Sequence, residues 1–213
     1  MKQRAVLLIR PYNMKTIAID IDDVLALSAS AFVDFSNKRW GTSLEVDDYH
    51  EHWAELWQVD NSVVNKRALE YWNSDTTRNV TAIADGEVVL RSLAKNYKLV
   101  IATARRIHTQ SDTTAWLDKH YHNLFSEVHF AGMWDEVTDN SIKATKADLC
   151  RQIGADFLID DQPKHCFAAA SSGIRSILFG DYGWNRFEML PQDVNRCIDW
   201  QSVQEYFNEH ESI

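Results

Sequence analysis

Five short apolar runs stand out along the chain, and most end on a polar or acidic residue. Residues 16–20 (TIAID) are apolar and partly β-branched, then enter the acidic stretch Asp20, Asp22, Asp23. Residues 99–102 end at Thr103, residues 157–159 at Asp160 and Asp161, and residues 174–179 lie between Gly173 and Gly180. A weaker run covers 128–131. Continuous apolar runs of this length predict strands buried on both faces. Helical spacing fills the gaps at 87–96, 109–120, 143–153 and 163–170. Ser111 and Asp112 are candidate caps, Gly154 a helix stop, and Pro163 a first-turn residue. Strands alternating with helices predict an α/β fold built on a parallel sheet.

Residues 27–84 break that rhythm. They hold no convincing buried strand, show helical spacing at 29–39 and 63–72, and carry Phe32, Phe35, Trp40, Tyr49, Trp53, Trp57, Tyr71 and Trp72. We read them as a helical lobe inserted after the first strand, with 14–26 and 85–213 forming the α/β core. Most of those aromatics are expected to fill the small core of the lobe, leaving one or two to face a ligand. Residues 200–207 are read as a closing helix. Residues 1–13 precede Met14 and the first strong strand, and are read either as an N-terminal extension or as the product of a mis-assigned start.

Composition narrows the function. A chain of 213 residues, 45% hydrophobic and 25% charged, suits a globular fold with a substantial core. The net charge of −9 disfavours a duplex nucleic-acid partner, while leaving room for a small phosphate ester held by local Lys and Arg. Three cysteines without a CxxC pair argue against a disulfide framework and for a reducing cytoplasm. No run of about 20 apolar residues exists, so no membrane helix is expected. The pairs His50/His52 and His120/His122 lack nearby Cys or a third ligand, so zinc is not expected. The sequon at Asn79 would go unused in a cytoplasmic chain. A homodimer through the Trp-rich lobe is compatible with the sequence, though nothing requires it.

In an open α/β sheet, ligands bind beyond the carboxyl ends of the strands. That edge would collect Asp20, Asp22 and Asp23 from one strand, Thr103, Ala104 and Arg105 from another, and Asp160 and Asp161 from a third. Lys146 lies one helix before the last pair. Alone, an acidic run is usually a solvated loop, a threonine at a strand end a turn former, and a helix lysine a surface residue. Together they suit phosphoryl transfer. Crowded carboxylates call for a cation, and Mg²⁺ is the hard ion that oxygen ligands favour; Asp20, Asp22 and Asp160 are its candidate ligands. Asp20 is the candidate nucleophile and Asp22 the acid and base. Thr103 and Lys146 would meet the phosphoryl charge, with Lys143 the competitor for the lysine role. Ala104 and Arg105 complete the candidate phosphate site; Arg105 could equally form a surface pair with Arg106.

The segments IAIDIDDVLALS, LVIATAR and KADLCRQIGADFLIDD resemble the four motifs of the haloacid dehalogenase (HAD) superfamily over about residues 15–180. Asp20, Asp22 and Val24 match its DxDx(T/V) motif, Thr103 the second, Lys146 the third, and Asp160 with Asp161 the fourth. The resemblance implies a Rossmann-like HAD core with a cap inserted after the first motif, and an aspartyl-phosphate intermediate. Within the superfamily the DIDDVLA form is similar to the 5′-nucleotidases, including the 5′(3′)-deoxyribonucleotidases, which implies nucleoside monophosphates as substrates. Sugar phosphates or nucleic-acid 3′-phosphate ends are the alternatives. A non-catalytic phosphoacceptor of the receiver type fits less well, because its acidic pair precedes the phosphoacceptor. One departure is Asp23, where the group often has Gly; it either points away or caps the following turn. The loop at 179–186 (FGDYGWNR) is read either as flanking the site or as a plain turn with Trp184 packed back.

Overall fold

A computed structural model of the chain describes residues 14–132 and 145–210. The first thirteen residues, and Lys143 with the start of the helix expected at 143, lie outside them. Six strands form one sheet in the order β3-β2-β1-β4-β5-β6, every pair parallel. They are β1 (Thr16–Ile19), β2 (Lys98–Thr103), β3 (Glu127–Phe130), β4 (Phe157–Asp160), β5 (Arg175–Phe179) and β6 (Val194–Cys197). The apolar runs became the central strands because both faces are covered: Ile17, Ala18, Ile19, Leu158 and Ile159 are fully buried. One sheet face packs on α5 (Gly86–Leu93), α6 (Gln110–His120) and α9 (Trp200–His210). The other packs on α7 (Lys146–Gln152) and α8 (Pro163–Ser171). The core is thus the α/β Rossmann-like sandwich expected.

Local chemistry sets the helix ends. The Thr145 hydroxyl accepts from the Asp148 N–H while the Asp148 carboxylate accepts from the Thr145 N–H, a capping box that starts α7. Gly154 stops it with φ +65°. In α6, Ser111 and Asp112 are not caps. The helix starts at Gln110, directly after a 3₁₀ segment at Ile107–Thr109, and Asp112 instead pairs with Arg78 at 3.2 Å.

Between β1 and α5 the chain forms α1 (Ser28–Trp40), α2 (Trp53–Trp57), α3 (Asn61–Trp72) and α4 (Asp75–Arg78), with a 3₁₀ turn at Val46–Asp48. Helices α1, α2 and α3 share a separate aromatic cluster centred on Phe32. Its ring stacks on Trp57 (5.2 Å, 14°) and takes Tyr49 and Tyr71 edge-on. Most of the aromatic surface noted in the sequence is spent on this small core.

His165 of α8 is 7% exposed, and burial pulls its imidazole down from 6.5 to about 4. The unfolded chain takes up this proton as the pH falls through 6.5, whereas the folded chain resists until about 4. Stability tied to His165 is therefore full above pH 6.5 and lost progressively toward pH 4. At pH 5 the loss should be about 2 kcal/mol. Urea unfolding of the wild type and His165→Gln at pH 7.5 and 5 checks this: the wild type should lose that much more than the variant, and equal losses would refute it.

Candidate active site

The sheet register brings the motif residues to one edge. Ile19 is paired with Ile101 on one side and Ile159 on the other, so Asp20, Thr103 and Asp160 all lie just beyond, at the carboxyl ends. After Asp20 the chain turns tightly, with the Asp23 N–H donating to the Ala26 carbonyl at 2.8 Å. Asp23 takes φ +57°, a left-handed conformation that Asp tolerates better than most residues. Its carboxylate accepts from the Ala29 N–H at 2.9 and 3.2 Å and so caps α1. That decides between the two readings of Asp23. Burial pushes its carboxyl up to about 8, with Asp22 and Asp20 adding to the effect.

Lys146 is the electrostatic centre. Only 1% exposed, its ammonium lies 2.8 Å from Asp20 Oδ2 and 2.6 Å from Asp160 Oδ2. Burial alone would lower its pKa, but Asp160 and Asp20 outweigh that and hold it charged. The carboxylate oxygens of Asp20, Asp160 and Asp161 approach within 4.8 Å of one another. Asp20 Oδ1 is buried and has no hydrogen-bond partner among the described residues. Burial, reinforced by Asp160 and Asp22, pushes Asp20 up to about 7 against the pull of Lys146. Burial, then Asp160, also raises Asp161. Among the described residues, five acids, Asp20, Asp22, Asp23, Asp160 and Asp161, face two bases, Lys146 and Arg105. An all-oxygen donor set with an orphaned buried oxygen and uncompensated negative charge fits a hard divalent cation.

Asp22 is placed differently from the expectation that it joins the metal ligands. Arg105 grips its carboxylate from two nitrogens, with Nη2 to Oδ1 at 2.6 Å and Nε to Oδ2 at 3.1 Å, and the Ser28 hydroxyl donates to Oδ1 at 2.5 Å. Burial would raise Asp22, but Arg105 prevails and holds it below the usual carboxylate range. The guanidinium thus takes up the Asp22 side chain, and Asp161 completes the three-carboxylate group.

Thr103 is fully buried, and its Oγ1 accepts from the Arg105 N–H at 3.1 Å, which leaves the hydroxyl proton to donate. Ala104 is half-buried between them. Arg105 is no surface pair with Arg106: its side chain is 17% exposed, and Arg106 instead lies 4.3 Å over the Trp72 ring. Two phenols border the site, Tyr49 from the segment between α1 and α2 and Tyr71 from α3. Burial, then Asp23 and Asp22, raises Tyr49; burial, then Asp22, raises Tyr71.

Sequence reasoning missed Ser28, whose only signal was its place at a helix start. It also missed the role of Trp184. The 179–186 loop does flank the site: the Trp184 indole donates to Asp161 Oδ2 at 2.7 Å, and Asn185 donates to the Asp161 carbonyl at 3.1 Å.

Comparison with known proteins gives a consistent result. Among curated proteins, "Putative nucleotidase YqfW" of Bacillus subtilis (strain 168) is 25% identical over 206 residues, covering 92% of this chain and 94% of that protein. A haloacid dehalogenase-like hydrolase from Streptococcus pneumoniae superposes with TM-score 0.65 at 14% identity, covering 91% of this chain and 98% of that one. The Bacillus subtilis "putative HAD-hydrolase YfnB", solved bound to magnesium, gives TM-score 0.56 at 12% identity, with 92% and 99% covered. At these identities the structures establish a shared fold. The family described as "5' nucleotidase, deoxy (Pyrimidine), cytosolic type C protein" matches residues 13–209. That match spans nearly the whole chain, so the protein belongs to this 5′-nucleotidase family, a family of phosphatases, and it shares the fold of haloacid dehalogenase-like hydrolases.

Proposed function

We propose that the chain is a Mg²⁺-dependent 5′-nucleotidase that acts on ribo- or deoxyribonucleoside monophosphates through an aspartyl-phosphate. The observation that carries this reading is Asp20 Oδ1, a buried carboxylate oxygen with no partner, at the strand end where Lys146 and Thr103 converge. Asp20 attacks phosphorus, the ester P–O bond breaks, and Asp22, which has first taken up a proton from solvent, gives it to the departing sugar oxygen. Asp22 then removes a proton from water, which attacks the phosphorus of phospho-Asp20 and returns the free carboxylate with inorganic phosphate. Lys146 keeps Asp20 oriented and offsets charge gathering on the phosphoryl oxygens. Thr103 donates its hydroxyl to one of those oxygens, and the half-buried Ala104 and Arg105 border the same position. Asp20, Asp160 and Asp161 would hold Mg²⁺, which screens the repulsion between carboxylate and phosphate.

Residues 27–84 are read as the cap, with Tyr49 and Tyr71 the cap aromatics that feel the charges of Asp22 and Asp23. We place the chain in the cytoplasm. Its three cysteines are free and buried, and no helix among the described residues is long and apolar enough to cross a membrane.

The test is phosphate release from a panel of ribo- and deoxyribonucleoside 5′- and 3′-monophosphates, sugar phosphates and an aryl phosphate, with Mg²⁺ and with EDTA. Nucleoside 5′-monophosphates should be turned over fastest, and EDTA should abolish release. Release from the aryl ester alone would remove the nucleotide assignment; release that persists in EDTA would remove the metal.

A further inference from the structure

Residues 180–186 form a strap between the three-carboxylate group and the helices that follow β1. At its centre Trp184 stacks on Tyr182 (4.6 Å, 5°), and its edge meets Tyr49 (5.5 Å, 70°). The Tyr182 hydroxyl donates to the Asp23 carbonyl at 2.9 Å. Asn185, fully buried, donates to the carbonyls of Asp161 and Phe179 at 3.1 and 2.8 Å, and accepts from the Tyr182 N–H at 3.1 Å. On the other side the Gly183 N–H donates to Asp47 Oδ1 at 3.1 Å, and Arg186 pairs with Asp47 at 2.7 Å. A side chain at Gly183 would put Cβ 2.4 Å from the Asp47 carbonyl oxygen, so the close approach requires glycine. The indole plane is therefore fixed by contacts on several sides.

What that plane does is specific. A role in packing alone would need only the ring. Here the indole N–H points at Asp161 Oδ2, at 2.7 Å, and the Gln162 side-chain amide donates to the same oxygen at 2.7 Å. Oδ2 thus holds both donors that reach this carboxylate among the described residues, and Oδ1 holds none. Outer-shell donors of this kind fix the orientation of a metal-binding carboxylate.

We propose that Trp184 is a positioning residue of the cation site: its indole N–H, together with Gln162, holds the Asp161 carboxylate in the orientation that completes the group made with Asp20 and Asp160. This rests on the reading that those three residues bind the divalent ion.

The experiment is titration with Mn²⁺ alone, without substrate, following the free ion by electron paramagnetic resonance. The chains compared are the wild type, Asp160→Asn, Trp184→Phe and Gln162→Leu, each with its Tm in EDTA. The wild type should bind one ion and Asp160→Asn should lose it, which tests the underlying reading. Trp184→Phe keeps the stacked ring and deletes only the donor; its Kd for Mn²⁺ should rise about tenfold. Gln162→Leu removes the second donor from a half-exposed position and should weaken binding in the same direction, which keeps the test open if the Phe variant folds poorly. An unchanged Kd in both variants, with Asp160→Asn still defective, overturns the role of Trp184 and leaves the cation site standing. A lower Tm in EDTA with unchanged Kd also overturns it, as packing alone. A wild type that binds no Mn²⁺ overturns both.

Discussion

Asp20→Asn should cut kcat by about 10⁴-fold or more and yet make the metal-free chain more stable at neutral pH. The loss of activity follows from nucleophilicity: an amide oxygen of the same size cannot form the acyl phosphate. The gain in stability follows from burial. Asp20 is 4% exposed, and its carboxyl is pushed up to about 7, from 3.8 in the unfolded chain, by burial first and then by Asp160 and Asp22. The folded state therefore binds this proton more tightly than the unfolded state. Stability tied to Asp20 is full below pH 3.8 and is lost as the pH rises through 7. Above that, holding the charge costs about 4 kcal/mol at most, and a neutral amide relieves part of it. Thermal unfolding in EDTA should show the Tm of Asp20→Asn exceeding the wild type by more at pH 8 than at pH 5. A variant less stable at every pH would show that the Lys146 contact, not repulsion and burial, dominates the energetics of Asp20.

That conflict between stability and chemistry also explains what could be read from the sequence. Strands β1, β2, β4 and β5 were legible because each is a short run buried on both faces, and β1, β2 and β4 run into or end on a polar residue, Asp20, Thr103 and Asp160, at the carboxyl edge of the sheet. Asp20, Thr103 and Asp160 were therefore found by pattern before any contact was known. β6 was not legible: it is four residues long, only Val194 and Cys197 are buried, and Arg196 reads as surface. The aromatic lobe was legible as helical and Trp-rich, but Phe32 as its hub was not, since which ring faces inward is decided by packing between helices. Two features of the site depend on partners far apart in the chain. Arg105 and Asp22 are 83 residues apart, and a helical or strand period carries no information about which carboxylate a guanidinium will choose. Trp184 lies 23 residues beyond Asp161, in a loop without periodicity, so its sequence signal was no more than Gly-rich turn chemistry.

The pairing of Asp22 with Arg105 leads to the second large effect. Asp22 is held in its ionised form, the form that takes a proton from water in the second half-reaction. In the proposed first half-reaction it has to supply a proton, which it must first take up from solvent against the hold of Arg105, and how much that matters depends on the leaving group. A sugar alkoxide is a poor leaving group and needs the acid. A nitrophenolate leaves without one. With a nucleoside monophosphate, Asp22→Asn should slow turnover by about 10² to 10⁴-fold. With p-nitrophenyl phosphate only the second step should suffer. Rapid mixing should then give a burst of close to one nitrophenolate per chain, followed by a steady rate slowed by a similar factor, while phospho-Asp20 accumulates and can be trapped by acid quench. The wild type, in which Asp22 serves both steps, should show a far smaller burst or none. Equal slowing of both substrates without a burst would mean that Asp22 supports the first step by position or charge, and that another group handles the water. An undiminished steady rate would remove Asp22 from the proton transfers altogether, leaving its bidentate contact with Arg105 as a structural tie between the first and second motifs.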